Sequence, residues 1–496
     1  MLFNSFTFLF QFLPATILAF AAARLHSPRA GILVLVAASL FFYGAWRPVY
    51  LSLLIGSVAL NFLLGLAMES PSRRRLVGSL GVALNLSVLG LFKYTNFAFD
   101  VFNEATGLPV PHVDVVLPLG ISFFTFQQIA YLVDVMRGAK VERDLVSYTL
   151  FVSFFPHLIA GPLVHHAEMI PQFKRSRTGR SAVLAARGWA IFVAGLFKKV
   201  AIADNLAQFA NPVFAHVDAG GSVDAPWAWL ATLAYTLQIY FDFSGYSDMA
   251  IGLALMFGIR LPVNFRSPYQ ATSIIDFWRR WHITLSRFLR DYLYIPLGGN
   301  RLGSRRRYVN LMLTMLLGGL WHGAGWNFLI WGGLHGLYLV VNHLWRGEKV
   351  KSAPTLSGRV ACWALTFVAV VVAWVFFRAR TLIGARQMLI GLLGLEGGGS
   401  PYVSPGIIRV VDLPLLVGEP QLLLIGGGSI AAALAVALFL PNVPRLFRYR
   451  EYRRRPEPAT RLNWHPNFIW ATVTALALVV SLFGMWQRIE FLYFQF

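Results

Sequence analysis

Apolar stretches long enough to cross or nearly cross a bilayer recur along the whole chain, near 6–23, 31–47, 50–68, 76–92, 114–135, 181–208, 226–257, 361–378, 421–440 and 467–486. A helix needs about 20 such residues to cross the hydrocarbon core. Lipid leaves backbone polar groups no partner but each other, so crossing segments are helices or closed barrels. Charged residues make up only 13% of the chain, against about 25% in soluble domains. Soluble, disordered and fibrous classes are excluded. The expectation is an all-α, polytopic integral membrane protein of about ten spans, forming one domain over 1–496 with no soluble module.

The 43 Lys and Arg against 22 Asp and Glu leave a net charge of +21. In a soluble chain that excess points to nucleic acid; here it fits basic cytoplasmic loops that fix orientation. Arg73, Arg74 and Arg75 follow the third run, and Arg137, Lys140 and Arg143 the fifth. Lys174, Arg175, Arg177 and Arg180 precede the sixth. Eight arginines fall between 276 and 307, and seven between 441 and 461. With the N-terminus outside, all these clusters reach the cytoplasmic side. The alternation works only if two further apolar stretches, 145–164 and 309–345, each leave on the side they entered, as re-entrant or broken helices. The N-terminal MLFNSFTFLFQFLP has no basic n-region and reads as a first span, not a cleaved signal. Cys362 is alone, so no disulfide framework and no CxxC metal site is expected.

Polar residues inside apolar stretches are costly and are functional candidates by default. His322 lies in LGGLWHGAGWNFLIWGGLHG, 15 residues beyond Arg307, or about 22 Å of helix. That is deep in a core about 30 Å thick. Gly323 and Gly325 suit a tight turn beside it. A packing histidine is the alternative. His335 points elsewhere if the helix is continuous, and is read as structural. In FWRRWHITLSRFLRDYLYIPLGGNR, the rings of Phe277, Trp281, Phe288 and Tyr292 recur at helical spacing, as in an amphipathic interfacial helix. Its arginines, Arg279 and Arg280 among them, either anchor lipid headgroups or meet a phosphate-bearing donor, with His282 at the entrance. Asp242 and Asp248, with Gln238, Ser244 and Ser247, put polar groups into an apolar span; they are too few for a metal site and read as hydrogen-bonding glue. Pro and Gly in PLGISFFTFQQIAYLVDV and FFPHLIAGPL point to broken helices. Nucleotide P-loop, HExxH and GxSxG patterns are absent.

PLGISFFTFQ, FFPHLIAGP, YFDFSGYSDMAIG, FWRRWHITLSRFLRDYLYIPLGGNR and LGGLWHGAGWNFLIWG occur in this order over roughly 90–340. Together they resemble the membrane-bound O-acyltransferase (MBOAT) superfamily, in its bacterial alginate O-acetylase-like branch, and are similar to the D-alanyl transferase of teichoic acid modification. The resemblance implies a ring of helices, with re-entrant and interfacial elements, around a central tunnel. It implies that His322 is the catalytic histidine and His282 the second histidine of the tunnel. Trp321, Trp281, Arg279, Arg280, Asp242 and Asp248 are the candidates for lining the tunnel or binding the donor. The implied donor is acetyl-CoA, or an acyl carrier thioester, with no permanently bound cofactor and no metal.

The implied chemistry suits a buried histidine. Removal from water disfavours an imidazolium, so a buried imidazole stays neutral and accepts a proton. As general base it activates an attacking hydroxyl; an acetyl-imidazole is the alternative route. The implied function is export of acetyl groups across the bacterial inner membrane to a cell-surface polysaccharide, alginate first, with peptidoglycan, cellulose or another exopolysaccharide open. A periplasmic SGNH-type partner completes the transfer, and nucleic acid is no partner. The segment 441–463 is an Arg-rich cytoplasmic loop, and 487–496 an extracytoplasmic aromatic tail. That tail is either a membrane-interface anchor or, by analogy with a teichoic acid partner protein, carries Tyr493 as a covalent acetyl relay. The rivals are a transporter or flippase, which leaves the Trp-His-Gly segment unexplained, and a non-catalytic secretion scaffold.

Overall fold

The computed structural model describes residues 1–114, 116–174, 182–346, 355–395, 406–410, 413–485 and 492. Each of the ten apolar runs carries a helix. Among the described residues, five helices are long and apolar enough to cross a membrane: Phe8–His26, Pro48–Ala67, Arg74–Lys93, Leu356–Arg378 and Glu419–Phe439. Shorter apolar helices include Pro28–Gly44, Ile121–Met136 and Phe468–Gly484. One antiparallel hairpin, Gly406–Val410 with Leu413–Val417, interrupts the helical pattern, which the all-α reading did not anticipate. The chain divides into two compact units. Both draw on separated stretches of sequence, so neither is an independent sequence domain.

The first unit holds Met1–Phe192, Met249–Pro262 and Arg450–Pro456. Its loops meet in ion pairs that follow the charge pattern. Arg29, after the first run, lies 3.7 Å from Asp144. Glu69, after the third, accepts from Arg143, after the fifth, at 2.7 Å. That bond holds the Glu69 carboxyl below its usual range. Glu142 and Lys174 pair at 2.7 Å, so the intervening stretch ends beside the place where it began. Within 145–164 lie two short helices, Leu145–Ser153 and Phe155–Leu158, the broken form expected for that stretch. The loops between the other ends of these helices meet one another as well: the Tyr50 hydroxyl donates to the Val116 carbonyl at 2.6 Å. Asn61 and Asn85 bond reciprocally between Pro48–Ala67 and Arg74–Lys93, at 3.2 and 2.7 Å, polar glue of the kind that joins helices in lipid.

The second unit holds Val193–Asp248, Val263–Tyr449 and Glu457–Phe496. Its centre is a helical hairpin, Gly303–His322 and Trp326–Arg346, turned by residues 323–325. A side chain at Gly319 would collide with the Phe328 carbonyl, one at Gly332 with the Met315 carbonyl, and one at Gly336 with Met312. These antiparallel pairings bring Arg346 back to the end at which Gly303 began. The stretch 309–345 thus leaves on the side it entered, as two full arms and not as one broken helix. Glycine lets helix backbones approach closely where lipid gives apolar residues no preference for each other.

Gly332→Ala should overpack this seam and cost about 1–3 kcal/mol. Gly333, whose added Cβ would meet only Leu316 at an ordinary 3.6 Å, should accept alanine with no change. Thermal unfolding of the two variants in detergent checks this; equal midpoints would contradict the seam.

Candidate active site

His322 is the last residue of the first hairpin arm and is 6% exposed. The helix is continuous from Gly303, so His322 stands about 22 Å along it from Arg307. Aromatic rings enclose the imidazole. Trp321 lies 4.8 Å away, Trp331 5.0 Å and Phe377 5.1 Å, all three edge-on. Trp331 comes from the second arm and Phe377 from Leu356–Arg378. The hairpin also corrects the geometry inferred for His335. The helix is not continuous between the two histidines, and the fold returns His335 to Trp331 as well, at 4.8 Å. Phe277, Trp278 and Trp374 complete its enclosure.

His282 is reached through Trp321, whose ring is 6.2 Å from it. The expected amphipathic helix over 277–301 is broken here. Ile274–Trp278 and Ile283–Leu289 are separate helices, and a π-helical turn, Arg290–Tyr294, follows. The break is at His282, which takes a left-handed φ of 41°, a conformation disfavoured for a bulky residue. An extended segment holds it there. Arg266 N–H donates to the Arg280 carbonyl at 3.0 Å, and Ile283 N–H to the Asn264 carbonyl at 2.9 Å. The Asn264 Oδ1 lies 3.1 Å from His282 Nδ1 and accepts from the Thr284 N–H and hydroxyl at 3.3 and 3.0 Å. Asn264 in turn donates to Ser247 at 3.3 Å. The helical spacing of the rings concealed this break. Phe277, Trp281 and Phe288 are indeed buried, but from different elements.

The other candidates separate into groups. Trp321 and Trp281 are buried and belong to the aromatic cluster, Trp281 contacting Trp374 at 4.9 Å. Arg279 is exposed, and Arg280 is held by both oxygens of Asp276 at 3.0 Å. Asp242 and Asp248 on Ala225–Met256 turn to two lysines that sequence reasoning passed over. Lys198 lies 2.7 Å from Asp248. Lys199 lies 2.7 Å from both Asp242 and Asp204. The lysines open a π-helical turn, Lys198–Ala203, inside a run counted as uniformly apolar. The neighbour of Asp242, Phe243, lies about 100° further round the helix and meets the His282 ring at 4.7 Å. The two acids therefore brace the helix that supports His282. Among the described residues no group of three or more His, Cys, Asp or Glu is placed to hold a metal. Tyr493 lies outside the described residues. Leu492 is 4% exposed, and its N–H donates to Asp242 Oδ2 at 3.2 Å.

A buried imidazole walled by rings, with a second histidine one ring away, is suited to proton transfer in a water-poor site. Residues 110–383 match the membrane-bound O-acyltransferase family, a range that includes both histidines and Phe377. A peptidoglycan O-acetyltransferase of Helicobacter pylori is 46% identical over 435 residues, 82% of each chain. A probable alginate O-acetylase of Pseudomonas putida is 46% identical over 78% of this chain and 79% of its own. A teichoic acid D-alanyltransferase of Bacillus subtilis is 28% identical over 49% of this chain and 64% of its own. The chain belongs to the membrane-bound O-acyltransferase family. It is a multi-pass membrane acyltransferase.

Lys199→Met should leave two buried carboxylates uncompensated and cost about 3–5 kcal/mol. Adding Asp204→Asn and Asp242→Asn should restore most of that loss. The thermal midpoint of purified protein checks both; a wild-type midpoint for Lys199→Met alone would contradict the bracing role.

Proposed function

We propose that the protein transfers acetyl groups from cytoplasmic acetyl-CoA through the bacterial inner membrane, for O-acetylation of a cell-surface polysaccharide. The observation that carries this is the ring-walled His322 at the buried end of its helix, one indole from His282, in a chain whose similar relatives are named O-acetyltransferases. Alginate is the leading acceptor, on the names of several relatives. The Helicobacter relative supports peptidoglycan as the second reading.

In this reading the acceptor oxygen attacks the acetyl carbonyl while His322 takes the hydroxyl proton. The carbon–sulfur bond breaks, and the proton passes to the departing thiolate, leaving ester and free CoA. His282, fixed by Asn264, positions the donor's thioester end. General-base catalysis of this kind contributes about 10²–10⁴ in rate. The whole chain acts as one membrane domain of ten crossings around a tunnel, with the arginine-rich loops in the cytoplasm. A periplasmic SGNH-type partner receives the acetyl group, with Tyr493 as the relay. Leu492, the residue before that tyrosine, is buried and its N–H donates to Asp242, which supports this reading.

Purified wild type with acetyl-CoA should release CoA as the acetyl group passes to Tyr493. His322→Ala should lose that activity by about 10²-fold or more, whereas His335→Phe should keep most of it. Equal release by wild type and His322→Ala would remove the central residue. In the same preparation, with partner and acceptor added, Tyr493→Phe should release no acetylated product; undiminished product would exclude the relay.

A further inference from the structure

The turn end of the hairpin carries a group of arginines that the chemistry above leaves unused. Arg305, Arg306 and Arg307 start the first arm, so they lie at the other end, beside Arg346. Phe377 meets the His322 ring at 5.1 Å, and the Asn327 side chain donates to the Ala379 carbonyl at 2.6 Å. Arg378, between these two residues, therefore stands at the turn. Arg380 and Arg386 follow it closely in sequence. Orientation in the membrane is set by basic residues on the cytoplasmic side, so three arginines at the opposite end need another reason.

Arg378 is held in place. Its guanidinium lies 5.2 Å from the Phe214 ring and 5.8 Å from the Tyr235 ring, within cation–π range. Nη2 donates to Asn211 Oδ1 at 2.9 Å. Its Nε is buried without a partner, as is the Tyr235 hydroxyl. Arg380 and Arg386 are exposed, and none of the three arginines forms an ion pair among the described residues. Asp218 faces the same stretch, but its Oδ1 is taken by the Arg380 N–H and by the N–H and hydroxyl of Thr381, at 3.0, 3.1 and 3.3 Å. Three cations against this one anion leave +2. Arg386 lies about one turn into Leu382–Leu393, whose N-terminal dipole end adds positive potential.

Like charges gathered at one rim repel, and an incoming carboxylate relieves that repulsion. A guanidinium fork pairs with a carboxylate through two parallel N–H···O bonds. The stretch is also shaped for a line of such groups. Ala379 and Thr381 are extended, at φ −63°, ψ 135° and φ −120°, ψ 153°, and Asp218 fixes them there. The arginines are thus presented along a fixed rim, which suits a linear polymer bearing a carboxylate on each repeat.

We propose that this rim binds the carboxylates of an acidic polysaccharide, a uronate chain, with Arg380 and Arg386 as the exposed contacts and Arg378 as the recessed one. This rests on the proposed function for the acceptor being a polysaccharide, and it names the group by which the protein selects it. A neutral glycan such as cellulose has no such group and is not retained. An acidic protein surface shares the carboxylate chemistry, but the extended presentation beside His322 favours the acceptor chain.

The test is equilibrium binding of an oligouronate to the full-length protein in phosphatidylcholine nanodiscs, read without acetyl transfer. Wild type should bind it, and Arg380→Gln with Arg386→Gln should weaken it about ten-fold or more, with the thermal midpoint unchanged because both side chains are exposed. The same oligosaccharide with its carboxyls reduced to alcohols should bind neither protein. Equal oligouronate affinity for the two proteins would overturn the site, as would tight binding of the reduced chain. Polyglutamate of equal charge binding more tightly than the oligouronate would also overturn it, in favour of an acidic protein partner. A protein that releases CoA without holding oligouronate loses the rim and keeps the enzyme; one that holds oligouronate without releasing CoA keeps the rim and loses the catalytic reading.

Discussion

The carbonyls of Met315 and Phe328 stand where side chains of Gly332 and Gly319 would be. This contact of backbone against backbone fixes the two hairpin arms, and everything chemical in the second unit follows from it. The arms have to run close and antiparallel, so the turn at 323–325 is short and His322 sits at its edge. Trp331, one turn and a half into the returning arm, is thereby placed against the imidazole. In lipid no hydrophobic force favours one apolar neighbour over another, so close glycine contacts carry a large share of helix specificity.

The second constraint is polar. His282 is held in an unusual backbone conformation by Asn264, and the helix behind it is tied to Lys198 and Lys199. Buried ion pairs contribute little net stability but are costly to break, so they act here as fixed points. Phe243 transmits that fixity, because its residue neighbour meets the lysine while its own ring meets His282. The aromatic wall and the ion-paired brace thus solve separate problems: one keeps water from the imidazoles, the other keeps the first of them in place.

Much of this was legible in the sequence. The helical runs, the return of both extra apolar stretches, the turn at Gly323 and Gly325, and the helical distance of His322 from Arg307 all follow from hydropathy, glycine and the spacing of arginines. What escaped had specific causes. Period alone could not show the break at His282, because a broken helix and a continuous one can bury the same rings. Lys198 and Lys199 were hidden because hydropathy averages them into an apolar run, though two adjacent cations in a span signal buried acids nearby. The angular argument for His335 did not apply, because a turn separates its helix from that of His322. Phe377 and Trp374 sit beyond the recognisable motifs, and only packing shows that they reach the histidines.

The claim most exposed to direct test is that the acetyl group crosses the membrane while CoA does not. Proteoliposomes can enclose the polysaccharide acceptor with the periplasmic partner, and receive labelled acetyl-CoA on the face bearing the arginine-rich loops. The account predicts acetyl ester inside and free CoA outside, in equal amounts. Label that reaches the lumen as intact acetyl-CoA, or ester formed only on the donor's side, would contradict it.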